Sequence, residues 1–178
     1  MARMETFKGA HTAKSTAGPS AAKPKGSGWE RVRTFLEACG PGANNYVVLL
    51  GLETFDSRQL RRSVERGLPY STFERLVANT TLPSDDALVL VNIPQRTLTR
   101  RKREGRFRQD ESDRLMRASR IFARALSLFE GDRNAAKQWL SAPQKALGNE
   151  SPLTLARMEV GALEVERLIG RLEHGVFT

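Results

Sequence analysis

Ser84-Asp85-Asp86-Ala87-Leu88-Val89-Leu90-Val91-Asn92-Ile93-Pro94-Gln95-Arg96-Thr97-Leu98-Thr99-Arg100-Arg101-Lys102-Arg103 holds two short helical patterns separated by about three residues. The first is apolar and the second strongly basic, which is the helix-turn-helix pattern. Ser84 is expected as the N-cap, with Asp85 and Asp86 favoured by the helix dipole. Ala87, Leu88, Leu90 and Val91 fill the first helix. Pro94 opens the second, where its missing N–H has no partner to lose, and Gly105 closes it. With Asn92 starting the turn, Val91, Ile93 and Leu98 hold the two helices together. Leu98 is then the one buried anchor of the second helix.

That leaves Gln95, Arg96, Thr97, Thr99, Arg100, Arg101 and Arg103 as candidate DNA contacts. Arginine pairs bidentately with guanine in the major groove and Gln with adenine, while Thr and Lys reach phosphates. Between Arg100 and Arg108 there are six positive residues and one negative, a net +5 of the chain's +9. A solvated helix face usually mixes its signs, so this concentration points to nucleic acid. The pattern departs from the usual one twice. Asn92 stands where a left-handed Gly usually begins the turn, and Asn tolerates that conformation at small cost. Leu88 stands where a small residue usually lets the helices cross, with Ala87 one step earlier.

Outward from this stretch the periodicity is helical. Upstream, Leu60, Val64 and Leu68 form one stripe, and Phe73, Leu76 and Val77 a second helix. Downstream, Ser112 to Phe129 reads as a long helix with Leu115, Met116, Ser119, Phe122, Ala123, Leu126 and Phe129 inward. Asp132–Leu140 is a short helix, Ser151 caps another that starts at Pro152, and Val160–His174 is the last. Tyr46 to Leu52 is an apolar run that periodicity cannot assign to strand or helix. The fold class is therefore all-α, a helix-turn-helix domain followed by a small helical domain.

Four segments are expected. Residues 1–28 carry net +4 and, as large apolar side chains, only Met1, Met4 and Phe7. Such a segment cannot offset its ordering entropy, so a disordered basic tail is expected. Residues 29–45 read as a short helix, with Trp29, Val32, Phe35, Leu36 and Cys39 at helical spacing, and a linker begun by Gly40-Pro41-Gly42. Residues 46–110 form the DNA-binding domain and 111–178 a second domain. From Ser119 to Thr178 there are eight positive and seven negative side chains, so charge does not explain what that half binds. Its Trp139, Leu140, Leu147 and other apolar residues are mostly core, with an apolar patch left for a protein partner.

Several classes fall away. The two histidines, His11 and His174, lie in a tail and near the end, and there is no glycine-rich phosphate loop or metal-ligand cluster. No enzyme, metal or cofactor is expected. A lone Cys39 forms no intramolecular disulfide, and a reducing, cytoplasmic setting is expected. Neither a signal peptide nor a spanning helix is expected, and so no membrane partner. An RNA-binding module would need interleaved aromatics that are missing.

The series Phe129-Glu130-Gly131-Asp132, Ala135-Ala136, Trp139-Leu140, Pro143, Leu147-Gly148, Ser151-Pro152-Leu153, Leu155, Gly161, Val165, Leu168 and His174-Gly175-Val176-Phe177 resembles the toxin-binding domain of Xre/MbcA/ParS antitoxins. Glu65-Arg66-Gly67-Leu68-Pro69, Ile93-Pro94, Arg96-Thr97-Leu98, Arg100-Arg101 and Glu111-Ser112-Asp113-Arg114-Leu115 resemble the same group upstream. The resemblance covers about Tyr46 to the C-terminus. Ala156-Arg157 departs from it where two Leu are usual, and Asn149-Glu150 replaces a usual Gly. The resemblance implies a type II antitoxin that blocks the active site of a cognate RES-domain, NAD-consuming toxin. It also implies repression of its own operator DNA, a homodimer, and a higher assembly with toxin. On the same ground Trp139, Leu140, Leu147, His174, Val176 and Phe177 are candidate toxin contacts, with Val176 and Phe177 as a plug at the toxin's active-site mouth. A stand-alone helix-turn-helix regulator, its C-terminal half serving dimerisation, is the alternative.

Overall fold

The computed structural model describes residues 28–39 and 45–175. These form ten α-helices and no strand: α1 Gly28–Cys39, α2 Asn45–Leu49, α3 Ser57–Glu65, α4 Ser71–Thr80, α5 Ser84–Val91, α6 Gln95–Glu104, α7 Gln109–Leu128, α8 Arg133–Ser141, α9 Pro152–Leu155 and α10 Glu159–Glu173. A single 3₁₀ turn, Lys145–Leu147, separates α8 from α9.

Local chemistry sets most of these boundaries. Asp56 caps α3 by accepting from the Gln59 N–H at 2.9 Å, and Asp132 caps α8 through the N–H groups of Asn134 and Ala135. Ser151 caps α9 ahead of Pro152, as expected. The ambiguous run at Tyr46 is helical: Val47, Leu49 and Leu50 are fully buried, and Gly51, at φ +64°, turns the chain out of α2. One expected cap is corrected. Pro83, in extended conformation, is the N-cap of α5, and Ser84 is already its first helical residue. Pro83 offers no side-chain acceptor, so the first turn of α5 relies on the charges of Asp85 and Asp86.

The core is organised around α7, which packs against α2, α3, α4, α5, α8 and α10. The sequence pattern gave α7 a single inward stripe. Leu115, Ser119, Phe122, Ala123 and Leu126 are buried as expected, but so are Ala118, Ile121 and Ala125. A helix enclosed on several sides buries more than one stripe, and its Ala residues let neighbours approach closely. α7 also begins earlier than Ser112, at Gln109. It runs unbroken through residues 110 and 111, and one continuous core extends from Val32 on α1 to Ile169 on α10.

Candidate nucleic-acid and partner interfaces

Asn92 ends α5 in the left-handed conformation, φ 52° and ψ 46°. Pro94, extended, then starts α6. Val91, Ile93 and Leu98 are buried between the helices as the pattern requires. Ala87 is fully buried and Leu88 half-buried, so the small residue one step early is the one turned to the core. α5 packs on α7 and α9.

On α6, Gln95, Arg96, Thr99, Arg100, Lys102 and Arg103 are exposed and Thr97 is half-buried. Thr99 hydrogen-bonds its own helix, donating to the Gln95 carbonyl at 3.0 Å. Arg100 approaches Glu104 at 3.9 Å on the surface. Arg101 departs from expectation. It is 2% exposed, with Nε 2.6 Å from Glu111 Oε2 and Nη1 paired with Glu104. It is therefore a second buried anchor beside Leu98 and not one of the exposed side chains of α6. Its position on the inner face of α6, three residues after Leu98, is the signal that places it there.

The Glu111 carboxylate is also buried and accepts from the Arg108 backbone N–H at 2.8 Å. Burial works to raise its pKa. The hydrogen bonds from Arg101 and Arg108, with their charges, outweigh burial and hold it below the ordinary glutamate value.

The turn after α6 is stitched to the turn after α3. The Tyr70 N–H donates to the Gly105 carbonyl at 2.9 Å, the Phe107 N–H to the Leu68 carbonyl at 2.8 Å, and Arg106 Nη1 to the Gly67 carbonyl at 2.6 Å. Gly67 has φ +82°, and a Cβ there would stand 2.0 Å from the Phe107 carbonyl oxygen, so only glycine fits.

In the C-terminal part, the expected contact residues divide. Leu140 is fully buried and Leu147 is 9% exposed, so both are core residues and present no surface to a partner. Trp139 is half-buried, its ring 6.3 Å from that of Phe129. His174 is exposed at the end of α10. Val176 and Phe177, like residues 1–27 of the tail expected at 1–28, lie outside the described residues, and Gly28 is the first residue of α1.

A surface that periodicity did not single out stands at the start of α10. Met158, Val160 and Leu163 are 67%, 70% and 42% exposed. Among the described residues only Phe55 joins them as a large exposed apolar side chain, and Phe55 stacks on Phe35. The signal was available: on α10 the buried set is Gly161, Ala162, Val165, Leu168 and Ile169, which leaves Val160 and Leu163 on the opposite face. The loop carrying Met158 is held to the helix-turn-helix. Arg117 donates to the carbonyls of Ala156 at 3.1 Å and Arg157 at 2.7 Å, and Asn92 Nδ2 to the Arg157 carbonyl at 3.4 Å. Arg114 Nη1 donates to the Asn92 carbonyl at 3.0 Å. The Ala156-Arg157 departure thus falls where backbone carbonyls do the bonding. At the other departure, Asn149 takes φ +63°, the conformation a Gly would adopt freely.

Residues 59–120 match the Antitoxin Xre-like helix-turn-helix domain, and residues 124–175 match the Antitoxin Xre/MbcA/ParS C-terminal toxin-binding domain. The chain is 41% identical to an Antitoxin Xre of Yersinia enterocolitica over 130 residues, 72% of this chain and 88% of that protein. It is 34% identical to an Antitoxin Xre of Photorhabdus laumondii over 71% of this chain and 86% of the relative. This chain belongs to the Xre antitoxin family. A third Antitoxin Xre, from Pseudomonas putida, is 36% identical over 47% of this chain and 52% of its own length. The two matched domains meet inside α7, between residues 120 and 124. In this chain one continuous helix thus runs through the junction of the two matched domains. No helix among the described residues is long and apolar enough to cross a membrane.

Proposed function

We propose that this chain is the antitoxin of a type II module, which covers the active site of a cognate RES-domain, NAD-consuming toxin and represses its own operon. The observation that carries this reading is that a single helix, α7, joins a basic helix-turn-helix to an unpartnered apolar face in the toxin-binding segment. DNA contact belongs to Gln95, Arg96, Thr97, Thr99, Arg100 and Arg103 on α6. Toxin contact belongs to the Met158–Val160–Leu163 face, to Trp139 and His174, and to Val176 and Phe177 as the plug. The RES identity of the toxin comes from the resemblance in the sequence. The chain works as a homodimer, within a larger assembly once toxin is bound, and in the cytoplasm. It has no catalytic role of its own.

The test is co-expression of the neighbouring toxin with this chain, with growth and cellular NAD as readouts. Protection by the full chain, and reduced protection after truncation beyond His174, supports the reading. Full protection by the truncated chain returns Val176 and Phe177 to an ordinary terminus. Absence of any protection, with operator binding intact, favours the stand-alone regulator.

A further inference from the structure

Two groups of arginines among the described residues are used differently. Those of α7 are used internally. Arg114 pairs with Asp110, Arg117 with Glu159, Arg120 with Glu159 and Glu166, and Arg124 with Glu173. The second set lies on α3 and on the turn after α6. Arg58, Arg62 and Arg66 follow one another at four-residue spacing and are all exposed. Their neighbour Arg61 is paired with Glu65, but these three have no ion pair with any described residue. Like charges at this spacing destabilise a helix, and the one acid among them, Glu65, is paired with Arg61.

The stripe leads into a groove lined by Ser63, Arg66, Gly67, Leu68 and Arg106, with no carboxylate in its wall. Arg66 Nε is turned to the Arg62 carbonyl, 3.2 Å away, and Arg106 uses only Nη1, on the Gly67 carbonyl. Each guanidinium keeps further N–H donors for an anion. The groove is also built. Three hydrogen bonds stitch its two walls, the antiparallel bridge Pro69–Arg106 aligns them, and Gly67 fits only because it lacks a Cβ. Leu68 is tied from beneath, its N–H donating to Ser112 Oγ at 2.8 Å. The groove abuts Gly105, the residue that ends α6.

From this placement we infer that Arg62, Arg66 and Arg106 form a second phosphate-binding surface, which grips the sugar–phosphate backbone of the duplex whose groove α6 enters. This rests on the DNA-binding reading above and extends it to residues off the recognition helix. A helix lying in the major groove has phosphates flanking its ends. Arg66 and Arg106 stand beside its C-terminal end, held by a rigid stitch, where they would set how deeply α6 sits. Their role is sequence-independent, because they meet backbone and not base edges.

The test uses the full chain and a fluorescein-labelled duplex taken from upstream of its reading frame, alongside a scrambled duplex, in anisotropy titrations over a range of salt. The R62A/R66A/R106A variant is expected to bind both duplexes more weakly and to lose about two to three from the salt slope, since each phosphate contact contributes about 0.9. The corresponding Lys variant keeps the charge and recovers most of the slope. Thermal melting checks that the Ala variant is folded. Unchanged affinity and slope in the Ala variant, with binding lost in R96A/R100A/R103A, overturns this inference and leaves the helix-turn-helix reading standing. Unchanged binding in both variants overturns both. A defect confined to the toxin complex, with DNA binding intact, assigns the groove to the protein partner and overturns the inference as well.

Discussion

Arg101 and Glu111 are joined by a 2.6 Å hydrogen bond between Nε and Oε2, with both side chains almost fully buried. Ten residues apart, they tie the last turn of α6 to the first turn of α7. The same Oε2 caps the start of α7 through the Arg108 N–H. Removing one partner of a buried pair costs up to about 3–5 kcal/mol when the other charge is left alone. Glu111→Ala leaves Arg101 only its more exposed partner, Glu104, and is expected to lower unfolding stability by a part of that, read from urea denaturation. Replacing both together, R101M/E111L, should recover most of the loss. Arg101 Nη2 lacks a partner even in the native fold, so the native pair is imperfect. Equal losses in the single and double variants would place the cost in packing and not in charge.

The same pair sets a pH dependence. The folded-state pKa of Glu111 lies below its ordinary value of about 4.5, despite burial, because Arg101 and the Arg108 N–H bind the carboxylate. Its contribution is thus complete above the unfolded pKa and disappears as pH falls through the folded one. The stability difference between the native chain and Glu111→Gln should be constant from about pH 7 to pH 5 and shrink below that. A difference that grows on acidification would contradict the assigned direction.

The recognition helix shows where the sequence was legible and where it was not. The turn at Asn92, the helix end at Gly105 and the anchor Leu98 are written in local chemistry, so reading the residues found them. Arg101 reads as an exposed cation in the basic run, yet it is buried, because Glu111 on the next helix and Glu104 claim its guanidinium. A basic run looks uniform until a tertiary partner claims one member. Leu140 and Leu147 illustrate the converse. Resemblance put them in a partner-binding domain, but packing uses them as core. The apolar face at Met158, Val160 and Leu163 was legible only once the buried face of α10 was fixed.

On α6 the exposed residues should divide by role. Ala substitution of an Arg that contacts phosphate reduces affinity on all sequences and lowers the salt slope by about one. Ala substitution of an Arg that reads a base costs about 1–3 kcal/mol and relaxes preference at one position. Arg96, in the first turn of α6, is expected to behave as a base reader, and Arg103, in its last turn, as a phosphate contact. Gel-shift titrations on operator and scrambled duplexes separate the two. Undiminished operator binding by R96A/R100A/R103A would remove α6 from the DNA interface.

Gly161 makes the tightest approach in the C-terminal part. A Cβ there would lie 2.1 Å from the Leu155 carbonyl oxygen and 2.7 Å from its carbon, both backbone atoms. The φ is helical, so the constraint is space alone. Gly161→Ala would normally favour a helix by up to about 1 kcal/mol, but here it must push α10 away from α9. Lower thermal stability and weaker toxin binding are expected together, since the exposed apolar face lies on α10 and on the turn that joins it to α9. An unchanged or raised melting temperature would mean that the α9–α10 contact yields without cost.

That face supplies the last prediction. Met158, Val160 and Leu163 are the concentration of exposed large apolar side chains in the segment that matches the toxin-binding domain. Exposed apolar surface gains by about 25 cal/mol per Å² when a partner covers it, and clustered anchors dominate such interfaces. M158S/V160S/L163S should therefore leave melting temperature and DNA binding near native, because none of these side chains supports the core. It should weaken toxin capture at least tenfold in a pull-down titration with purified toxin. Arg117→Ala provides the contrast. Arg117 holds the carbonyls of Ala156 and Arg157 and also pairs with Glu159, so its loss frees the loop that presents Met158 without removing an apolar contact. An intermediate loss of toxin affinity is expected from it, together with some loss of stability. Should the serine variant capture toxin as well as the native chain, the apolar face is not the docking surface, and toxin contact falls to the end of α10 and the residues beyond it. Should it lose DNA binding but not toxin, the face serves pairing between copies of this chain on their operator.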